Sequence, residues 1–198
     1  MVIRSVGLAY TELRMDRRKS SFQPLALTLT VLAALVRLVP HPPNFAPIGG
    51  VALFGGARLR GWQAYCVPLL AMLLTDPIRS RLEGGYSPFS WATPVIYGCF
   101  LINVFLGRLF LRDSSNPWRI ASVAIAGSVQ FYVLTNLFEW WHGITPYAHT
   151  VSGLIECYVA ALPFFGRTLL ADVFYSGVLF IAYALLSRRI ALQHRSAT

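Results

Sequence analysis

Charge is scarce in this sequence, and negative charge scarcest: eight Asp and Glu stand against seventeen Lys and Arg in 198 residues. Only 13% of the residues are charged, about half the roughly 25% of a soluble domain. A water-soluble surface cannot be covered with so few. Cysteine is limited to Cys66, Cys99 and Cys157, each in an apolar stretch and none in a C-x-x-C pair, which argues for packing residues and against a disulfide framework or a cysteine zinc site. His41, His142 and His149 lack the i, i+4 spacing of helical metal ligands. The H-E-x-x-H, G-x-S-x-G and G-x-x-x-x-G-K-[ST] patterns are missing too. No nucleophile and base can be paired, so the expectation is a non-enzymatic protein with no resident metal or cofactor.

What the chain has is apolar length. It is 56% hydrophobic, with a mean hydropathy of +0.56, and Gly84–Gly107 and Ile120–Phe138 hold no formal charge. Each run is long enough to cross hydrocarbon, which takes about 20 helical residues. These features predict an all-α fold, a polytopic membrane helix bundle embedded in the lipid bilayer. Six crossings are expected, at about 24–40, 46–57, 62–77, 92–110, 118–141 and 168–187. The second is short and glycine-rich, poor as an isolated helix but suited to close backbone approach inside a bundle.

The net charge of +9 could suggest nucleic acid, but the basic residues cluster in short segments beside the apolar runs. That is the pattern of cytoplasmic loops, and no nucleic-acid partner is expected. Arg14, Arg17, Arg18 and Lys19 ahead of Leu25–Val36 resemble the start of a signal peptide. Arg37 follows at once and no small-x-small cleavage site is evident, so the segment is read as a retained first span. Met15 is an alternative start to Met1.

Val151–Phe165 is apolar but short, and contains Glu156 and Pro163. A re-entrant or interfacial helix there keeps both termini cytoplasmic and puts thirteen of the seventeen basic residues inside. The positive-inside rule therefore favours six spans over seven. The resulting domains are a basic cytoplasmic tail over 1–22, one transmembrane domain over 23–190 and a cytoplasmic tail over 191–198, in the bacterial inner membrane.

An ionisable residue inside a span costs roughly 2.5–3.5 kcal/mol at the helix centre and calls for a reason. Arg37, Asp76, Glu139 and Asp172 are such residues, and in the six-span arrangement all fall toward the outer ends of their helices. His41, Asn44, Asn136, Trp140, Trp141, His142 and Tyr147 join them there. The expectation is an outward-facing pocket for a small-molecule ligand. Arg37 or Asp172 would hold a charged group, Asn44 and Asn136 would hydrogen-bond, and Trp140, Trp141 and Tyr147 would stack. The plainer readings stay open: an interfacial aromatic belt, Asp76 and Asp172 as helix caps or partners of Arg37 and Arg79, and His41 and Asn44 as turn residues.

Several stretches carry a family resemblance: Arg37-x-x-Pro40-His41-Pro42-Pro43-Asn44-Phe45-Ala46-Pro47-Ile48-Gly49-Gly50, then Ala52-Leu53-Phe54-Gly55-Gly56-Ala57, Thr135-Asn136-Leu137, Cys157-Tyr158-x-Ala160-Ala161-x-Pro163-Phe164-Phe165 and Thr168-Leu169-Leu170-x-Asp172-x-x-Tyr175. From Arg37 to Phe180 the chain resembles an uncharacterised bacterial family of multi-spanning transport-type proteins, akin to the substrate-binding S components of energy-coupling factor transporters. The resemblance implies a six-helix bundle that takes up a vitamin-like molecule from outside. It also implies a transmembrane coupling subunit and cytoplasmic ATPases as partners. S components dock through small residues four apart on the first span, and Ala26, Thr30 and Ala34 hold that spacing. The histidine after the initiator Met found in cobalt- and nickel-binding members is replaced here by Val2. The alternative is a non-enzymatic membrane scaffold or cell-envelope assembly subunit.

Overall fold

The computed structural model describes residues 22–82, 84, 87–143 and 146–196. Most of the expected N-terminal tail, with Met1, Met15 and the basic residues up to Lys19, lies outside them. Among the described residues six α-helices follow in order: α1 (Gln23–Val36), α2 (Ile48–Arg58), α3 (Gln63–Leu82), α4 (Thr93–Leu106), α5 (Pro117–Trp141) and α6 (Val151–Ser196). A π-helical turn, Gly107–Leu111, continues α4. No strand occurs among the described residues.

Successive helices run in opposite directions between two ends. Gln23, at the start of α1, exchanges hydrogen bonds with Arg58 and Arg60 at the end of α2. Arg37, just past the end of α1, pairs with Asp76, late in α3. Arg58 also meets the end of α4. One end of the bundle is therefore rich in arginine: Arg58, Arg60, Arg108, Arg112 and Arg188 surround one cavity there. The other end carries Arg37, His41, Asn44 and Asp76 around a different one.

The core is unusual in that its centre is the shortest of the six helices. Ile48 to Ala57 of α2 are all buried, and α2 touches each of the other five. Glycine makes this possible. A methyl group on Gly56 would collide with the Val104 carbonyl of α4, one on Gly107 with the Leu53 carbonyl of α2, and one on Gly50 with the α6 backbone at Tyr175 and Ser176. The backbones are thus in van der Waals contact where α2 crosses α4 and α6, the small-residue packing expected of this segment. Phe54 fills the remaining space edge-on to Phe180 and Tyr183.

At 1.5 Å per residue α2 is only about 16 Å long, half a hydrocarbon core. Thr93–Leu111, Pro117–Trp141 and Val151–Gln193 are long and apolar enough to cross a membrane, and Gln23–Val36 is a shorter apolar helix. Large apolar side chains point outward along them, including Leu32, Phe105, Leu109, Leu134, Leu170, Phe174, Ile181 and Leu185. In water such a surface would be an association hazard.

Two expectations need correction. Val151–Phe165 is not a separate re-entrant helix: it is the first third of α6, which continues past Pro163 through the expected C-terminal tail to Ser196. Gly166 and Arg167, between the two expected segments, do not stop the helix. Ala26, Thr30 and Ala34 do not form an outward docking face. All three are buried and Thr30 returns its hydroxyl to the Ala26 carbonyl, because the small face of α1 is used to approach α2 and α3.

Candidate functional site

The Pro40–Pro47 connection shapes the polar end. Phe45 N–H donates to the Pro42 carbonyl at 3.0 Å, closing a four-residue turn with Pro43 at its second position and Asn44 at its third. Asn44 has φ of 64°, the left-handed value that a type II turn demands there and that Asn tolerates. Phe45 then packs on Phe174 and Tyr175 of α6. The turn is organised as the plain reading expected, and it also carries His41 and Asn44 to the wall of a cavity of about 870 Å³.

That cavity is bounded by the Arg37–Ala46 connection, α3, α4, α5 and α6 and floored by Ile48, the first residue of α2. Arg37, His41, Asn44, Asp76 and Asp172 all line it, with Met72, Ile96, Phe100 and Phe131 as apolar wall. Arg37 and Asp76 form an ion pair. Thr75 accepts a further bond from Arg37 at 2.9 Å and the Tyr97 hydroxyl donates to Asp76 at 2.6 Å. The pair is thus neutral and braced by two helices. His41 accepts no such partner: its Nδ1 lies 3.0 Å from the Pro42 carbonyl, which can only accept, so Nδ1 carries a proton. Its Nε2 is buried with no partner.

Asp172 behaves differently. It is 3% exposed, and its carboxylate accepts one hydrogen bond, from Ser128 at 2.7 Å, with no cation in contact among the described residues. Gly49, in the first turn of α2, lies so close that a methyl there would strike the carboxylate, and no side chain caps that turn. The positive end of the α2 dipole therefore faces Asp172. Asp172 was expected at the outer end of its helix, yet Ser128 stands midway along Pro117–Trp141. The carboxylate is deeper because α6 starts at Val151 and not near 168, so Asp172 meets the first turn of α2 at mid-depth.

A second cavity of about 410 Å³ adjoins the first across Asn44, Ile96, Phe131 and Thr168. Asn136 and Glu139 line it with Tyr132, Phe164 and Phe165. Asn136 Nδ2 is held by the Tyr132 carbonyl at 2.8 Å. This space arises from the excess length of α6. Between Ser128 and Trp140 α5 rises about 18 Å, while Val151 to Asp172 of α6 covers about 32 Å, although both ends are tied, by Ser128 to Asp172 and by Trp140 Nε1 to the Ala148 carbonyl. The two helices cannot run straight and parallel, and the gap between them is the cavity.

Trp140, Trp141 and Tyr147 line neither chamber. Trp140 and Trp141 border an apolar outer groove with Val95 and Leu137, and Trp140 also stacks near His149. Sequence reasoning missed Ser128 and Tyr97, which donate to the two carboxylates, and Thr75, which accepts from Arg37. Ser128 and Tyr97 stand in largely apolar runs and Thr75 stands beside Asp76, and no spacing singles any of them out. No group of three or more His, Cys, Asp or Glu able to hold a metal occurs among the described residues.

An all-helical bundle with long apolar helices and a polar chamber reaching mid-depth is the class these observations define. Residues 18–195 match the model of a family of unknown function, DUF6580, and the chain belongs to that family. No curated protein and no solved structure matches it.

Proposed function

We propose that this protein is the substrate-binding subunit of an uptake system for a small, vitamin-like molecule, crossing the bacterial inner membrane six times and resembling an S component. The observation that carries the reading is the roughly 870 Å³ chamber with Asp172 at its floor: a mid-depth carboxylate with one hydrogen bond is costly unless a ligand group or proton answers it. Membrane residence is supported by tryptophan. Trp62 and Trp118, 69% and 81% exposed, mark the basic end, and Trp91 and Trp141, 84% and 68% exposed, the polar end. Trp118 and Trp141 bracket about 35 Å of α5, a hydrocarbon core with its two interfaces. Arginine concentrates at one end, which the positive-inside rule makes cytoplasmic, so the chamber opens outward.

Energy for uptake would come from a separate coupling subunit and ATPases. With Ala26, Thr30 and Ala34 buried within the chain, such a partner would dock on another face. The test is mass spectrometry of small molecules copurifying with the detergent-solubilised protein, then thermal-shift titration of each. A true ligand raises the melting temperature as RT ln(1 + [L]/Kd), and Asp172→Asn or Asn44→Ala weakens that response. A protein that copurifies with nothing and responds to nothing across uptake conditions is instead a scaffold.

A further inference from the structure

The basic end holds a third cavity, of about 640 Å³, which ligand uptake from the opposite side does not use. Five arginines line it, Arg58, Arg60, Arg108, Arg112 and Arg188, against a single acidic residue, Asp113. Its inner wall is different: Leu59, Phe180, Tyr183 and Ala184 give it an apolar side. Arg58 is committed to the fold. Its guanidinium donates to the Leu111, Arg112 and Ser114 carbonyls at 2.7–2.8 Å and lies over Phe180. Arg112 and Arg188 are exposed, so the cavity presents solvent-facing cations beside the fixed Arg58.

Depth identifies the occupant. Trp62 follows the lining residue Gly61, and Trp118 lies three residues beyond the lining residue Ser115. Both rings are exposed, and tryptophan settles where hydrocarbon meets head groups. The mouth of the cavity is therefore level with lipid phosphates. We propose that this cavity binds the phosphate head group of an anionic phospholipid of the cytoplasmic leaflet, with Arg108, Arg112 and Arg188 on the phosphate oxygens and the glycerol end against the apolar wall. The inference rests on the membrane reading but not on any ligand in the outer chamber.

The experiment is thermal unfolding of the delipidated full chain in mixed micelles containing phosphatidylglycerol, phosphatidylcholine, inorganic phosphate or polyglutamate peptide, with native mass spectrometry to count bound lipid. Phosphatidylglycerol should raise the melting temperature and remain bound one per chain, and phosphatidylcholine should not. Arg112→Gln/Arg188→Gln, both on exposed side chains, should weaken the phosphatidylglycerol response at least tenfold. Arg119→Gln, which does not line the cavity, should leave it unchanged. An equal shift from inorganic phosphate would assign the cavity to a free anion. A shift from polyglutamate alone would assign it to a protein partner. An unaltered phosphatidylglycerol response in the double variant would assign it to general surface charge. Each of these three results, or no shift at all, overturns the proposal.

Discussion

Adding one methyl group to a glycine should have opposite effects at two sets of positions in this protein. In α4 and α6, Gly98, Gly166 and Gly177 have nothing within reach of an added methyl, so alanine there gains helix propensity, about 1 kcal/mol per site. Gly56 and Gly107 gain the same propensity, but the methyl meets the Val104 or Leu53 carbonyl. Two backbones must then separate, and overpacking of this kind costs about 1–3 kcal/mol. Because propensity cancels in the comparison, Gly56→Ala should lie about 1–3 kcal/mol below Gly166→Ala. For a chain of this size that is about 2–12 °C in melting temperature. Tryptophan fluorescence during a thermal ramp in one detergent measures it. A Gly56→Ala protein that melts as high as Gly166→Ala would refute the claim that α2 and α4 touch backbone to backbone.

The remaining predictions concern charge and orientation. Removing one partner of the Arg37–Asp76 pair, as in Arg37→Leu, should destabilise by about 3–5 kcal/mol, and Arg37→Leu/Asp76→Leu should recover most of that loss; a double variant as unstable as the single one would show that the pair is not coupled. Arg58→Lys keeps the charge but loses the planar fork that reaches three carbonyls, at a cost of at least about 1.5 kcal/mol, and hydrogen exchange over Gly107–Asn116 should quicken. Unchanged exchange there would mean that Arg58 does not cap α4. In a Cys66→Ala background, Ser87→Cys should react with a membrane-impermeant maleimide on intact cells and Ser115→Cys only after lysis. The reverse labelling would invert the bundle.

The helical class was legible because long uncharged runs permit little else, and the glycines of Gly49–Ala57 announced a crowded helix before any contact was known. Charge placement also read well: Arg58, Arg60, Arg108, Arg112 and Arg188 gather at one end of the bundle, while Arg37 and Arg79 stand at the other. The ion pair of Arg37 with Asp76 was among the plain readings of those residues. Harder to see was depth. Asp172 was expected near a helix end because the last span was taken to begin at 168, and only the unbroken helix from Val151 and the eleven residues of α2, about 16 Å, show that it stands at mid-depth. The continuity of α6 was hidden by Pro163 and Glu156, which locally resemble a break although the helix tolerates both. Trp140 and Trp141 were placed by proximity in sequence, and a helix turns residues that are neighbours in sequence toward different surroundings.

The unbroken length of α6 has a mechanical consequence. The same helix contributes Phe165 to the smaller polar-end chamber, Asp172 to the larger one, and Phe180, Tyr183 and Arg188 to the arginine cavity. It joins all three cavities in one rod of helix. Arg188 stands about 24 Å along the helix from Asp172, so a tilt of about 5° pivoting at the Gly49 contact would swing it by about 2 Å. Filling the gap between α5 and α6 at one face of the bundle would, through such a tilt, shift a charged side chain at the other without any loop having to move.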